Sequence, residues 1–252
     1  MEDIHYDFVD LDSDSSFELF GKSLGGVLQN KTLHFDNHIA KGELVKATPD
    51  EGLWIRKWKF TVLQKVTLHK TPPAPAQDER KFVLIYFLNP EIFILISNRK
   101  KILVNGPRNN MFLTSYVTMD FSVVPKQPFY VLDITFTASW LLEQFGDADI
   151  SFKDILDKYI NKNPQTILIE PCCVEEYKTL HELEDSMLAD NQDVLFIRSR
   201  VYSLIVRFFS KVANRKEAGL IQSTVNYEQM VQAEMMMMEN IKTPPKIEAI
   251  AR

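Results

Sequence analysis

The sequence predicts an α+β fold in which an antiparallel β-barrel or sandwich precedes an α-helical region. Three observations carry this reading. Short strand-like segments run from Lys31 to Ala138, with apolar and polar residues alternating between Leu53 and His69, turn residues recur there every 8 to 12 positions, and after Ser139 the apolar period lengthens from two to about three and a half. The chain has 252 residues, 45% hydrophobic and 25% charged, an ordinary globular composition with room for one large domain or two unequal ones. Eight glycines and 12 prolines exclude collagen-like and most disordered classes. No run of 18 apolar residues could cross a bilayer as a helix.

The strands follow in order. Thr32 to Phe35 and His38 to Ala47 flank Asp36-Asn37, a pair suited to a two-residue hairpin turn. Between Leu53 and His69, Trp54, Trp58, Phe60, Val62, Val66 and Leu68 share one face. Lys57, Lys59, Thr61, Lys65, Thr67 and His69 share the other, which predicts a half-buried strand with one solvated face. The prolines at 72, 73 and 75 make the following stretch an exposed loop. Strands then run over Lys81 to Leu88, Glu91 to Ser97, Ile102 to Asn105, Met111 to Thr118 and Phe129 to Ala138. Asn89-Pro90, Asn98-Arg99, Gly106-Pro107 and Pro125 to Pro128 supply the turns. About eight strands at this spacing suit a sandwich or small barrel.

The helices come next. Ser139 can cap one carrying Trp140, Leu141, Leu142 and Phe145, stopped by Gly146, and Ser151 can cap a second with Phe152, Ile155, Leu156, Tyr159 and Ile160. A third spans about Val174 to Leu188, with Tyr177, Leu180, Leu183 and Met187 spaced three or four apart. The fourth, about Asp193 to Asn214, carries a five-turn stripe of Val194, Ile197, Val201, Leu204, Ile205, Phe208 and Val212. A last helix spans Asn226 to Ile241 and includes Met235 to Met238, suited to an irregular core gap or to a soft partner surface. No internal repeat recurs.

Charge and cysteine content narrow the function classes. Residues 1 to 140 hold 16 basic and 16 acidic side chains, whereas residues 141 to 252 hold 13 and 18, so the net charge of −5 lies in the second part. No basic stripe grips phosphates, and these residues alone are not expected to bind DNA. The opening from Met1 to Phe8 lacks the basic and apolar regions of a secretory signal, so a cytoplasmic location is expected, with no membrane partner. Adjacent Cys172 and Cys173 suit reduced thiols that serve packing.

Chemistry-bearing constellations are sparse. His34, His38 and Glu43 come nearest to a metal set, but a two-residue turn would pair Phe35 with His38 and His34 with Ile39, placing the imidazoles on opposite faces. No metal or other cofactor is expected. No nucleophile elbow occurs, and Phe20 to Gly26 lacks the spacing of a phosphate-binding loop, which leaves a flexible loop as its reading. Arg56 and Gln64 interrupt an otherwise apolar inward row. Arg56 needs a carboxylate from Asp133 or from a ligand, unless a bulge turns this part of the strand outward. The expected ligand pocket comprises Trp54, Arg56, Trp58, Gln64, Phe82, Tyr86 and Tyr116, and Arg56 favours an anionic ligand.

A strand-rich barrel, then helices, then the ending from Ile241 through Pro244-Pro245 to Arg252 resembles a regulator of the AraC family. The resemblance implies a cupin-like β-barrel sensor domain at residues 1–138, a helical dimerisation and linker region at 139–242, and the start of a truncated helix-turn-helix DNA-binding domain at 243–252. It further implies a small-molecule effector and no enzymatic activity, with DNA bound only through the missing C-terminal domain. A cupin-like metal-dependent enzyme and a ligand-free protein-interaction barrel are the alternatives.

A homodimer is expected through the helix from about Asp193, with Ile197, Val201, Ile205, Phe208 and Phe209 as interface residues. Val206 and Phe209 widen its apolar surface beyond the stripe. One face of this helix can pack on the barrel and the pairing would cover the remaining flank; the alternative is that the third and last helices cover both flanks within one chain.

Overall fold

Most of the strand-forming residues fall into place as two stacked sheets in the computed structural model, which describes residues 4–73, 80–89, 92–97, 100–105, 109–146, 165–188 and 193–214. Outside these lie the proline-rich stretch at 74–79, the turns at Pro90, Asn98-Arg99 and Gly106-Pro107, the helices expected after Ser151 and over Asn226 to Ile241, and the segment 243–252.

The described strands are β1 (Ile4–Phe8), β2 (Val27–Gln29), β3 (Thr32–Asp36), β4 (Ala40–Asp50), β5 (Leu53–Val62), β6 (Val66–Lys70), β7 (Lys81–Phe87), β8 (Ile92–Ser97), β9 (Lys100–Asn105), β10 (Asn109–Thr114), β11 (Met119–Val123), β12 (Pro128–Thr137) and β13 (Ile167–Pro171). The helices are α1 (Asp14–Ser23), α2 (Ala138–Phe145), α3 (Val174–Leu188) and α4 (Val194–Asn214). An eight-stranded sheet has the order β13-β10-β7-β12-β5-β4-β3-β2, and a five-stranded sheet the order β1-β6-β11-β8-β9. The ladders are antiparallel except that of β1 with β6.

The architecture is a β-sandwich with helices, in three layers. One core fills the space between the sheets, where Leu44, Trp58, Phe60, Ile85, Phe87, Leu113 and Val131 meet Leu68, Leu95 and Met119. A second core lies behind the larger sheet, where Ile55, Leu84, Tyr86, Phe112 and Ile134 meet Leu183, Leu204, Ile205 and Phe208 of the helices. Because successive strand residues point to opposite faces, both parities of β5, β7 and β12 are buried. The solvated face expected for the Leu53 to His69 stretch is therefore corrected. Lys57 is buried and pairs with Glu43 at 3.2 Å, and β6 belongs to the other sheet.

The β3–β4 turn differs from the expected two-residue hairpin. Asn37 Oδ1 accepts from the Ile39 and Ala40 amides at 2.7 and 3.0 Å, and its Nδ2 donates to the Leu24 and Gly25 carbonyls. This side-chain turn inserts residues 37–39 as a loop before β4, so Asp36 pairs with Lys41 and His34 with Glu43. Phe20 to Gly26 is likewise no loose loop, since most of it is the end of α1. Ser13 caps that helix by accepting from the Ser16 amide at 3.0 Å, and Phe17, Phe20 and Leu24 are buried.

Thr137, rather than Ser139, caps α2, its hydroxyl accepting from the Trp140 amide at 3.1 Å. The expected third and fourth helices appear as α3 and α4. On α4, Ile197, Val201, Ile205, Phe208 and Phe209 are each at most 2% exposed, and the rings of Phe208 and Phe209 stack on and edge against Phe112 of the sheet. These five residues are corrected from interface candidates to core residues of the single chain. The stripe was legible, but its partner is the back of the large sheet. No helix among the described residues is long and apolar enough to cross a membrane.

Candidate functional site

The two sheets do not close completely on one another. A pocket remains between them, enclosing about 860 Å³ of atom-free space counted out to its solvent-open side. Its walls are apolar, built by Leu68, Val83, Ile85, Phe87, Leu113, Met119, Phe121, Phe129 and Val131. Its polar lining consists chiefly of Asp10, Asp12, Arg56, Lys70, Lys81, Ser115, Asp133 and Thr135.

Strand register shows how these groups are distributed. On β12 and β7, Val131 pairs with Phe87 while Thr137 pairs with Lys81, so Lys81 and Phe87 lie at opposite ends, roughly 20 Å apart at about 3.3 Å per residue. Ser115 lies beside Lys81, its amide donating to the Lys81 carbonyl at 2.8 Å. On the facing sheet Lys70 is the register partner of both Phe8 and Met119. The slot thus grades from phenyl rings at Phe87 and Phe129 to charged groups at Lys81.

The charged groups are neutralised among themselves to different extents. Arg56 binds the Asp133 carboxylate through Nε at 2.9 Å and Nη2 at 2.7 Å, the Asp12 carboxylate through Nη1 at 3.0 Å, and the Thr135 hydroxyl at 2.7 Å. Trp58 Nε1 donates to the same Asp133 carboxylate. Lys81 donates to Asp10 at 2.8 Å and lies 3.1 Å from Asp12 Oδ2. Burial works against its charge, yet the bond to Asp10 and the neighbouring Asp12 hold its pKa above the ordinary lysine value. Lys70 differs. Its Nζ donates to the backbone carbonyls of Ser115 at 2.6 Å and Val117 at 3.2 Å, and burial pulls its pKa down to about 8.

Two of the seven expected pocket residues, Arg56 and Trp58, line this space. Arg56 takes the internal partner anticipated for it, Asp133, and its guanidinium is occupied by protein groups. Phe82 and Tyr86 are corrected, since their neighbours Val83, Ile85 and Phe87 face the slot and their own side chains pack in the helix-side core. The run from Lys81 to Leu88 is apolar on both parities, so its pattern carried no information on which face was inward. Gln64 lies in the bend after β5, with Nε2 3.5 Å from the His38 carbonyl. Trp54 sits under the Lys81 ammonium, 5.4 Å from ring centre, and Tyr116 under the Arg80 guanidinium at 5.8 Å; neither lines the slot.

The sequence reading missed the stretch from Phe8 to Asp12, which contributes five lining residues. A signal existed: Ser13 followed by Phe17, Phe20 and Leu24 is a capped amphipathic turn pattern that pins this stretch against the barrel. His34 and His38 are both exposed, and no cluster of three metal-ligating side chains forms among the described residues. Cys172 and Cys173 are free thiols, and burial pushes Cys172 up to about 12.

No family model matches this chain, and no curated protein matches it. Among solved structures it is similar to ToxT from Vibrio cholerae strain SCE256 with bound unsaturated fatty acid, at 14% identity over 81% of this chain and 69% of that one, TM-score 0.43. It is similar to ToxT from Vibrio cholerae O395 at 13% identity over 80% and 69%, TM-score 0.39. A cupin protein from Bacteroides fragilis is 12% identical over 44% of this chain and 87% of its own, TM-score 0.25. Likeness at this level identifies no family.

Proposed function

We propose that this chain is the ligand-sensing portion of an AraC-type transcription regulator, and that its effector is an apolar molecule with an acidic end. The observation that carries the ligand class is the graded slot. Aromatic and aliphatic walls take a hydrocarbon body, and Lys70 offers its cation to an anionic head without first giving up a carboxylate partner. This keeps the anionic ligand expected from the sequence but moves the recognising cation from Arg56 to Lys70. The fatty acid of the ToxT structure is a ligand of this class. The regulator reading itself rests on the order of barrel, helices and the ending from Ile241 to Arg252.

Calorimetric titration of the chain with a long-chain unsaturated carboxylic acid tests the ligand class. The proposal expects one site and a negative heat-capacity change from burial of apolar surface. Absence of saturable binding, or equal binding of a neutral sugar, would count against it.

The reading also includes a two-fold pair of chains. Since the α4 stripe is enclosed, pairing through α4 would use its outer flank, where Val206 is 46% exposed. Sedimentation at tens of micromolar distinguishes a dimer from a monomer, and a monomer there removes this part of the proposal.

A further inference from the structure

Lys70 differs chemically from the other cations of the slot. Arg56 is held by Asp133 and Asp12, and Lys81 by Asp10 and Asp12. The Lys70 nitrogen contacts two backbone carbonyls and, among the described residues, no carboxylate within ion-pair distance. It lines an apolar pocket while the residue as a whole is only 7% exposed, so a molecule reaching it arrives through the slot. A primary amine in such a setting can do more than bind an anion.

We propose that Lys70 is a covalent site for apolar aldehydes, its amine condensing reversibly with an aldehyde seated in the slot to form an imine. The nitrogen lone pair attacks the carbonyl carbon and a carbinolamine forms. Loss of its oxygen with the two former amine protons releases water and leaves the C=N bond. No oxidant or reductant takes part. On protonation the imine carries one N–H, which can keep the 2.6 Å bond to the Ser115 carbonyl while the bond to Val117 is released.

The groups facing the nitrogen are Asp10 and Asp12 from the segment between β1 and α1, Arg56 from β5 and Lys81 from β7. The two carboxylates favour the iminium and the two cations oppose it. Burial outweighs these charges on the free amine and holds its pKa near 8. At about pH 7.5 such an amine is roughly two-hundredfold richer in the neutral, nucleophilic form than an ordinary surface lysine.

This inference rests on the slot being a ligand site, and its test separates the two. The full chain is incubated with decanal and cyanoborohydride, then mapped by peptide mass spectrometry. The expected result is a reductively alkylated Lys70 at least tenfold ahead of Lys31, Lys41 and Lys81, with labelling that rises with pH to a midpoint near 8. Labelling should be lost in Lys70→Met and suppressed in Val83→Trp, which fills the slot. Glycolaldehyde, lacking an apolar body, should show no such preference. Labelling spread over exposed lysines, or an unmodified Lys70, overturns the proposal. Thermal shifts with unreduced decanal and with decanoic acid then say which layer failed. Stabilisation without an adduct refutes the imine alone, whereas no stabilisation by either compound refutes the slot as a ligand site.

Discussion

Arg56 and Asp133 are register partners across the β5–β12 ladder, and their side chains meet through hydrogen bonds of 2.7 to 3.1 Å while each residue is at most 6% exposed. Strand pairing alone brings the two Cα atoms together, so the ion pair forms without a loop having to be ordered around it. Trp58 Nε1 adds a third donor group to the carboxylate. A buried charge pair of this kind is stable because each partner satisfies the other, and it positions the Trp58 ring in the pocket wall.

Removing one partner should therefore be severe. Asp133→Ala leaves the guanidinium with only Asp12 and Thr135 as partners and the indole N–H without its acceptor, and a loss of about 3 kcal/mol of folding stability is expected in denaturant titration. Replacing both partners by apolar residues, Arg56→Met with Asp133→Leu, should cost less than the single change. A single variant within about 0.5 kcal/mol of the parent would contradict the burial argument.

Lys70 sets a second expectation, in pH. Its folded-state pKa of about 8 lies below the ordinary lysine value of 10.5, so the unfolded chain binds its proton more readily than the folded one. Below pH 8 the full penalty for burying the charge is present. Between 8 and 10.5 the folded state gains stability as pH rises, by up to about 3 kcal/mol. Lys70→Met removes this term, so the difference between parent and variant should drift in the parent's favour over that window. A flat difference would refute the assignment.

The α4 stripe gives a third. Ile205 is fully enclosed between α4 and the large sheet, so Ile205→Glu should abolish the cooperative unfolding transition and the folded circular dichroism spectrum. A folded protein that merely changed its association state would restore the interface reading of that face.

How far the sequence reached follows from which residues had an unambiguous period. Tyr177, Leu180, Leu183 and Met187 announce α3, and the α4 stripe announces its helix, because one side of each faces water. Phe82, Ile85 and Tyr86 announce a strand but not its inward face, because the strand is the middle layer of three. Asp133 was found as the partner of Arg56 since both interrupt apolar runs. Asp10 and Asp12 were missed because their burial depends on Lys81 and Arg56, which are distant in sequence. The loop at Asn37 was misjudged because its length is set by side-chain bonds to Leu24 and Gly25.

The slot between the sheets is the central claim, and filling it tests that claim most directly. Val83→Trp places an indole in the slot beside Leu113 and Thr135, the register partners of Val83 on β10 and β12. Thermal unfolding of parent and variant, each with and without a long-chain unsaturated carboxylic acid, is the measurement. The account predicts a ligand-induced rise of several degrees in the parent and none in the folded variant. Equal rises in both, or none in the parent at saturating ligand, would contradict it.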